Sequence, residues 1–234
     1  MEVLQKELLR IPEIQQLQQA LESGSLPAAV SGMSPIHRSQ IAAALSGQSG
    51  RGLLLLCADE GEARRMAQDL RCMLNVETAT LPARDWQFRT GAHSRESEQQ
   101  RLGILYDLAT ERLRVLTATP ESLLQRTLPP QLLLQNIQTL TLGQRLDPEL
   151  LARQLSAAGY TRCQQVEGIG QFALRGGILD VYSPRMDAPL RCEFFDDEID
   201  SMGVFDVSSQ RRIRNVSSAC LLPAAEALPQ LHPQ

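Results

Sequence analysis

The chain has 234 residues, of which 43% are hydrophobic, and its formal net charge is -4. This length and apolar content suffice for one or two domains with buried cores, and they exclude a fibrous or intrinsically disordered chain. The acidic balance argues against a surface devoted to nucleic-acid phosphates, because such surfaces carry a basic excess.

The chain contains five cysteines, and none of them forms a C-x-x-C pair. With an odd number of cysteines and only three histidines, the sequence favours free thiols in a reducing cytoplasm over disulfides or a metal site. Residues 1–10 are too charged for a signal peptide, and no stretch approaches about 18 apolar residues. We therefore expect a soluble, cytoplasmic chain that neither enters a membrane nor binds a metal.

The amino-terminal region predicts helices followed by a strand. Leucines and isoleucines at helical spacing indicate two short helices in residues 3–23, interrupted by Pro12. Residues 26–31 have the pattern of a short strand. Ser34 and Pro35 then suit the N-cap and the first position of a further helix.

This strand, turn and helix occupy the place that a nucleotide-binding P-loop has in an α/β domain. A P-loop needs glycines whose backbone N–H groups wrap phosphates, a Lys for charge, and a Ser or Thr for magnesium. Gly32 is present, but Pro35 lacks an N–H and no Gly-Lys-Ser/Thr follows. We predict a degenerate site around Gly32, Ser34 and His37 that binds no cofactor. His37 is either a phosphate contact or, as we favour, an ordinary surface residue.

The next region alternates strands and helices. The apolar run at residues 52–57 predicts a buried parallel strand, and Asp59 is placed to cap the helix after it. An acid after an apolar strand also occurs in Walker B motifs, but the degenerate loop leaves no phosphate-bound metal to hold, so capping is favoured. Strands at 76–81 and 113–118 and helices at 95–109 and after Thr119-Pro120 complete the region. The alternation predicts a doubly wound α/β domain.

A second, smaller α+β domain is expected after Pro129-Pro130. It comprises the strand 137–142, the helix 147–158 and a strand meander at 170–206, in which Gly176-Gly177 predicts a tight bend with positive φ. Residues from 211 onward read as strands that return to the first domain. The predicted divisions are amino-terminal helices (1–25), a degenerate nucleotide-binding-type α/β domain (26–126), an α+β domain (127–210) and the start of a further segment (211–234).

Strict alternation in the meander assigns side chains to the two faces of its sheet. Arg191 and Phe195 share a face of their strand, and Arg175 is expected on the same side of the sheet. Arg and aromatic residues are enriched in binding hot spots, so the pattern predicts a protein interface on which charge reversal of either arginine leaves the thermal midpoint nearly unchanged. The alternative is that Phe195 packs beneath a helix and Arg191 pairs with Glu193 or Asp197 on a solvated surface.

The stretches RGGILDVY and LRCEFFDDEIDSMGVFD resemble the signature of the UvrB family and, more closely, the amino-terminal UvrB-like module of the Mfd family of bacterial transcription-repair coupling factors. The likeness extends through LPARDWQFRTGAHSRESEQQRLGILYDL, VLTATPESLLQR and CLLPAAEAL, and so covers most of the chain. In that family the sheet of this domain docks onto UvrA, the lesion-recognition protein of nucleotide excision repair. The resemblance implies that Arg175, Arg191 and Phe195 are the UvrA contacts.

The resemblance also implies a non-catalytic adaptor, which recruits UvrA to lesions where RNA polymerase has stalled. Parent proteins of this family are ATP-dependent DNA translocases that displace the polymerase. They contact RNA polymerase and duplex DNA through domains outside this chain, which is therefore expected to be a fragment.

The alternative is a UvrB-type, ATP-dependent excision-repair subunit. UvrB has a long tyrosine-rich hairpin where residues 81–94 form only a short link with Trp86 and Phe88, and this difference favours the adaptor. We found no convergent Asp, Glu and His set for a nuclease or hydrolase.

Overall fold

The computed structural model describes residues 6–84 and 95–226. Its helices are α1 (Pro12–Ser23), α2 (Pro35–Ser49), α3 (Glu60–Leu74), α4 (Arg95–Ala109), α5 (Pro120–Leu124), α6 (Pro130–Gln135) and α7 (Pro148–Ala157). Its strands are β1 (Leu53–Leu56), β2 (Thr78–Leu81), β3 (Val115–Ala118), β4 (Gln138–Thr141), β5 (Thr161–Arg162), β6 (Gln171–Arg175), β7 (Ile178–Tyr182), β8 (Leu190–Phe195), β9 (Glu198–Phe205), β10 (Arg212–Asn215) and β11 (Ser218–Leu221). The predicted link that holds Trp86 and Phe88 lies outside the described residues.

Two compact units divide the chain. The first comprises Met1–Ala83 and Thr110–Gln125, and the second comprises Arg84–Ala109 and Arg126–Gln234. A mixed helix and strand architecture with several sheets is therefore confirmed.

The first unit contains a parallel three-stranded sheet in the order β1-β3-β2. Apolar side chains of α2 and α3 pack against the same face of this sheet, where Met66 and Leu70 meet Val115. The side chain of Asp59 accepts a hydrogen bond from the backbone N–H of Glu62, so the predicted helix cap is confirmed. Helix α3 thereby has its first turn capped and its apolar face buried.

Two expectations for the first unit were wrong. Residues 26–31 form no strand and are exposed along their whole length. The predicted strand β1 is present, but the side chains of Leu54 and Leu56 are 60% and 61% exposed, so only one face of the strand is buried. Because α2 and α3 lie on one face, the doubly wound arrangement is not confirmed for the described residues.

The second unit is built on a six-stranded sheet in the order β10-β9-β8-β7-β6-β5. All neighbouring pairs are antiparallel except β5 and β6. One face carries the core of the unit, and α7 packs against it. The core side chains include Leu151, Leu155, Phe172, Leu179, Val181, Leu190, Cys192, Ile199, Met202 and Val204.

Two parts of the second unit differ from the predicted division of the chain. Helix α4 was assigned to residues 26–126, but Leu102 and Tyr106 of this helix pack with Leu133 and Leu222. The segment expected to return to the first domain instead supplies β10, which pairs with β9, and β11, which pairs with β4. Backbone pairing and apolar contacts therefore hold both parts within the second unit.

Candidate partner-binding site

The strand register of the six-stranded sheet places the three predicted site residues on one side. Arg175 of β6 lies opposite Ile178 of β7, and Asp180 of β7 lies opposite Arg191 of β8. The pairing of β8 with β9 shifts register between Glu193 and Phe194, but Phe194 packs against the core, so Phe195 points to the same side as Arg191. We call the side of β6, β7 and β8 that carries Arg175, Asp180, Arg191 and Phe195 the outward face, since the main core cluster, which packs against α7, occupies the opposite side.

The turn between β6 and β7 fixes the start of the outward face. Gly176 has φ +58°, which is the positive value expected from the sequence. A Cβ atom on Gly177 would lie 2.9 Å from the backbone oxygen of Phe194, and Phe194 N donates a hydrogen bond to Gly177 O (2.7 Å). Close approach of β8 therefore requires a glycine here, and the turn holds Arg175 beside β7.

The carboxylate of Asp180 joins the two arginines of the outward face. Arg191 donates from Nε to Oδ1 (2.6 Å) and from Nη2 to Oδ2 (2.9 Å). Arg175 donates from Nη2 to Oδ2 (2.9 Å). Asp180 is fully buried in the middle of the three strands. A buried carboxylate is stable in its charged form only when it is paired, and here two guanidinium groups pair with it.

Arg191 is held by more than its ion pair. Its guanidinium carbon lies 4.4 Å from the centroid of the Phe205 ring, a cation–π geometry. Arg191 also donates to the backbone oxygen (3.3 Å) and the side-chain Oε1 (3.2 Å) of Gln210. The hydrogen bonds to Asp180 raise the pKa of Arg191 above its usual value. With only 20% of its side chain exposed, Arg191 is an integral part of the sheet.

Arg175 and Phe195 are more open to solvent. The side chain of Arg175 is 49% exposed, and it donates a hydrogen bond to Asp180. Phe195 is 79% exposed and precedes a tight turn in which Asp196 has φ +57°. The preceding residue, Phe194, packs against the core instead. Both side chains are therefore accessible on the outward face.

The alternative interpretation of this stretch does not describe the structure. The ring of Phe195 is exposed and not packed beneath a helix, and the ion pair of Arg191 is made with Asp180. Glu193 pairs with Arg212 of β10 at 2.8 Å. Asp180 was not among the site residues predicted from the sequence, although a single acid inside the apolar strand GILDVY was a signal that a buried charge needs a partner.

The residues predicted to form a degenerate P-loop lie at and just before the start of α2. Gly32 has φ +76°, Ser34 is the N-cap of α2 without a side-chain capping bond, and His37 is exposed. A cavity of about 720 Å³ lies between α2 and β1, and its lining is mainly apolar, including Met33, Ile41, Leu45, Leu53 and Leu55. Arg38, which also lines it, pairs with Glu62 at 3.1 Å.

Two negative findings concern residues 6–84 and 95–226. No cluster of three or more His, Cys, Asp or Glu side chains in these residues could hold a metal ion. None of the helices described has the length and hydropathy needed to span a bilayer.

Residues 139–226 match the family described as the UvrB interaction domain. This range holds all strands of the six-stranded sheet and every residue of the outward face. The part of the chain that carries the outward face is therefore similar to the UvrB interaction domain.

Over most of its length the chain is also similar to transcription-repair-coupling factors. It is 34% identical over 185 residues to the protein of Haemophilus influenzae, covering 78% of this chain and 16% of that protein. It is 34% identical over 177 residues to the Escherichia coli protein (74% and 15%) and 29% identical over 211 residues to the Bacillus subtilis protein (89% and 18%). The resemblance noted from the sequence is confirmed, and the chain spans about a sixth of the length of these curated relatives.

Proposed function

We propose that this chain is the non-catalytic adaptor part of a transcription-repair-coupling factor. In this proposal it recruits UvrA of nucleotide excision repair to lesions where RNA polymerase has stalled. The observation that carries the proposal is Phe195, whose ring is 79% exposed on the outward face that also carries Arg175. The match of residues 139–226 to the UvrB interaction domain supports it independently.

An exposed phenylalanine near an arginine has the chemistry of a binding hot spot. Burial of the aromatic ring against a partner contributes favourable binding free energy, and the guanidinium can donate several hydrogen bonds to a carboxylate. Phe195 ends a strand of a six-stranded sheet, so little ordering is needed when a partner covers it. The partner surface that fits this face has an apolar pocket for Phe195 and a carboxylate for Arg175.

We also propose that the chain neither binds nor hydrolyses ATP. Pro35 at the first turn of α2 contributes no N–H group, and Arg38 on the same helix is paired with Glu62. A phosphate at this position would meet neither a P-loop lysine nor a continuous set of backbone amides. These features favour a binding role over catalysis for this part of the protein.

The wider role is proposed from the relatives. They are transcription-repair-coupling factors, and this chain matches 15–18% of their length. We propose that the intact protein is a cytoplasmic, ATP-dependent DNA translocase that displaces stalled RNA polymerase. RNA polymerase and duplex DNA would then be contacted by regions outside these 234 residues. A net charge of -4 supports at most weak, sequence-independent DNA binding by the chain itself.

The adaptor proposal is tested by calorimetry with purified UvrA of the same organism. We expect the wild type to bind and Phe195→Ala to lose most of its affinity. Leu124→Ala is a matched control, because Leu124 is also a large exposed apolar side chain (85%) but belongs to the first unit. Absence of binding by the wild type would contradict the proposed function. Equal binding by all three proteins would show that the outward face is not the UvrA site.

A further inference from the structure

The outward face is organised by a residue that does not reach its surface. Asp180 lies on β7 between the strands that carry Arg175 and Arg191, and its carboxylate receives a hydrogen bond from each guanidinium. The side chain of Asp180 is only 1% exposed, so a docking protein cannot touch it directly. Any influence of Asp180 on binding must therefore act through the two arginines.

The two arginines are not equivalent. Arg191 makes four hydrogen bonds, two to Asp180 and two to Gln210, and its guanidinium also stacks on Phe205. An arginine has five N–H donors, so Arg191 has little left to offer a partner. Arg175 donates one hydrogen bond to Asp180, and its side chain is more than twice as exposed as that of Arg191, at 49% against 20%.

We propose that Asp180 is the positioning residue of the outward face. Its carboxylate fixes Arg191 within the sheet and orients Arg175. Arg175 is then the arginine whose remaining N–H donors bind a carboxylate of the partner. This inference rests on the proposed UvrA-binding function and assigns different roles to residues that the sequence treated alike. A pre-oriented Arg175 loses less side-chain freedom on binding than a free one, which improves affinity without a new contact.

The charges of Asp180 and the two arginines support the same difference in role between Arg175 and Arg191. Two cations share one buried anion, so the group formed by Arg175, Asp180 and Arg191 has a net charge of about +1 when all three are ionised. The exposed part of this charge lies on Arg175. A partner carboxylate can therefore approach Arg175 without displacing Asp180 from Arg191.

The experiment compares Asp180→Asn, Arg175→Ala and the double variant for UvrA binding and thermal midpoint. Asparagine keeps the shape of the side chain but removes its charge and puts an N–H₂ group towards one arginine. We expect Asp180→Asn to weaken binding about tenfold and Arg175→Ala to weaken it about 30-fold or more. In the double variant, Asp180→Asn should add almost nothing to the loss caused by Arg175→Ala, since it acts through that residue.

Ser183→Ala is the control for destabilisation alone. Ser183 is a fully buried polar residue just after β7, and its hydroxyl accepts a hydrogen bond from Leu222 N (2.8 Å), away from the arginines. We expect this variant to lower the thermal midpoint and leave UvrA affinity unchanged. If Asp180→Asn is folded and binds UvrA like the wild type, or if its effect is fully additive with Arg175→Ala, the inference is overturned and the adaptor function stands. If the wild type does not bind UvrA, both fall.

A wild-type measurement keeps the proposal testable should Asp180→Asn fail to fold. Phenylglyoxal modifies accessible guanidinium groups, and mass spectrometry locates the modified peptides. We expect Arg175 to be modified in the free chain and protected by UvrA, and Arg191 to be unreactive in both states. Strong modification of Arg191 in the free chain that UvrA suppresses would overturn the assigned roles.

Discussion

The Oδ1 atom of Asp180 lies 2.6 Å from Nε of Arg191, across the antiparallel pair formed by β7 and β8. Asp180 is fully buried, so this contact affects the stability of the second unit as well as the shape of its surface. The sequence pattern suggested that reversal of either arginine would leave stability unchanged. The geometry does not support that expectation for Arg191, because Arg191 is the main partner of a buried charge.

We therefore expect Arg191→Glu to destabilise the chain strongly. The substitution places a second carboxylate against Asp180, and breaking a buried pair from one side costs about 3–5 kcal/mol. Arg175→Glu should cost much less, since half of that side chain is in water and the pair is screened. Chemical denaturation followed by circular dichroism measures both free energies of unfolding.

Arg214→Glu is the control for a charge reversal without a buried partner. Arg214 is exposed on the edge strand β10, and its replacement should change the free energy of unfolding by no more than about 0.5 kcal/mol. If Arg191→Glu and Arg214→Glu unfold at the same denaturant concentration, Asp180 does not depend on Arg191.

The faces of the six-stranded sheet were predictable because alternation is a local property. The pattern of residues 190–195 was enough to place Arg191 and Phe195 on the side opposite Leu190 and Cys192. The partner of Arg191 was not predictable in the same way. Which residue of β7 lies opposite it depends on the register set by the connection at residues 183–189, and the sequence pattern does not specify that register.

In the first unit, apolar content did not predict burial or strand formation correctly. Four consecutive leucines in β1 indicated a strand buried on both faces, yet only the side towards α2 and α3 is covered in the described residues. Residues 26–31 have strand-forming composition but no hydrogen-bonded neighbour strand. Strand formation requires a partner, and local composition does not supply one.

Phe195→Ala should separate binding from folding. Since the ring is 79% exposed, its removal should change the free energy of unfolding by about 0.5 kcal/mol or less, while UvrA affinity falls by about 2 kcal/mol or more. Phe172→Ala is the matched control, because Phe172 is fully buried in the core and its truncation should cost about 3–5 kcal/mol of stability. An unfolded Phe195→Ala protein would show that this ring supports the fold.

The nucleotide prediction is tested by calorimetry with Mg-ATP. We expect no heat of binding and no phosphate release, because the segment from Gly32 to His37 lacks the lysine and the amide groups that hold phosphates. Arg38→Ala, which removes the cation paired with Glu62, should leave this result unchanged. Micromolar affinity with turnover would contradict the adaptor proposal and favour the UvrB-type enzyme.

The cysteines provide a probe of β8. Burial raises the pKa of Cys192 to about 12, whereas Cys72 and Cys220 are exposed. Because the thiolate is the reactive form, a rise from 9.0 to about 12 lowers the reactive fraction at pH 8 about a thousandfold, and burial blocks access as well. We expect iodoacetamide to label Cys72 and Cys220 quickly and Cys192 only through opening of the sheet.

Arg191→Glu, which weakens the contact of β8 with β7, should accelerate labelling of Cys192 and leave the rate at Cys72 unchanged. Peptide mass spectrometry after timed quenching measures each site. Equal rates at Cys192 and Cys72 in the wild type would mean that β8 is not packed as described here.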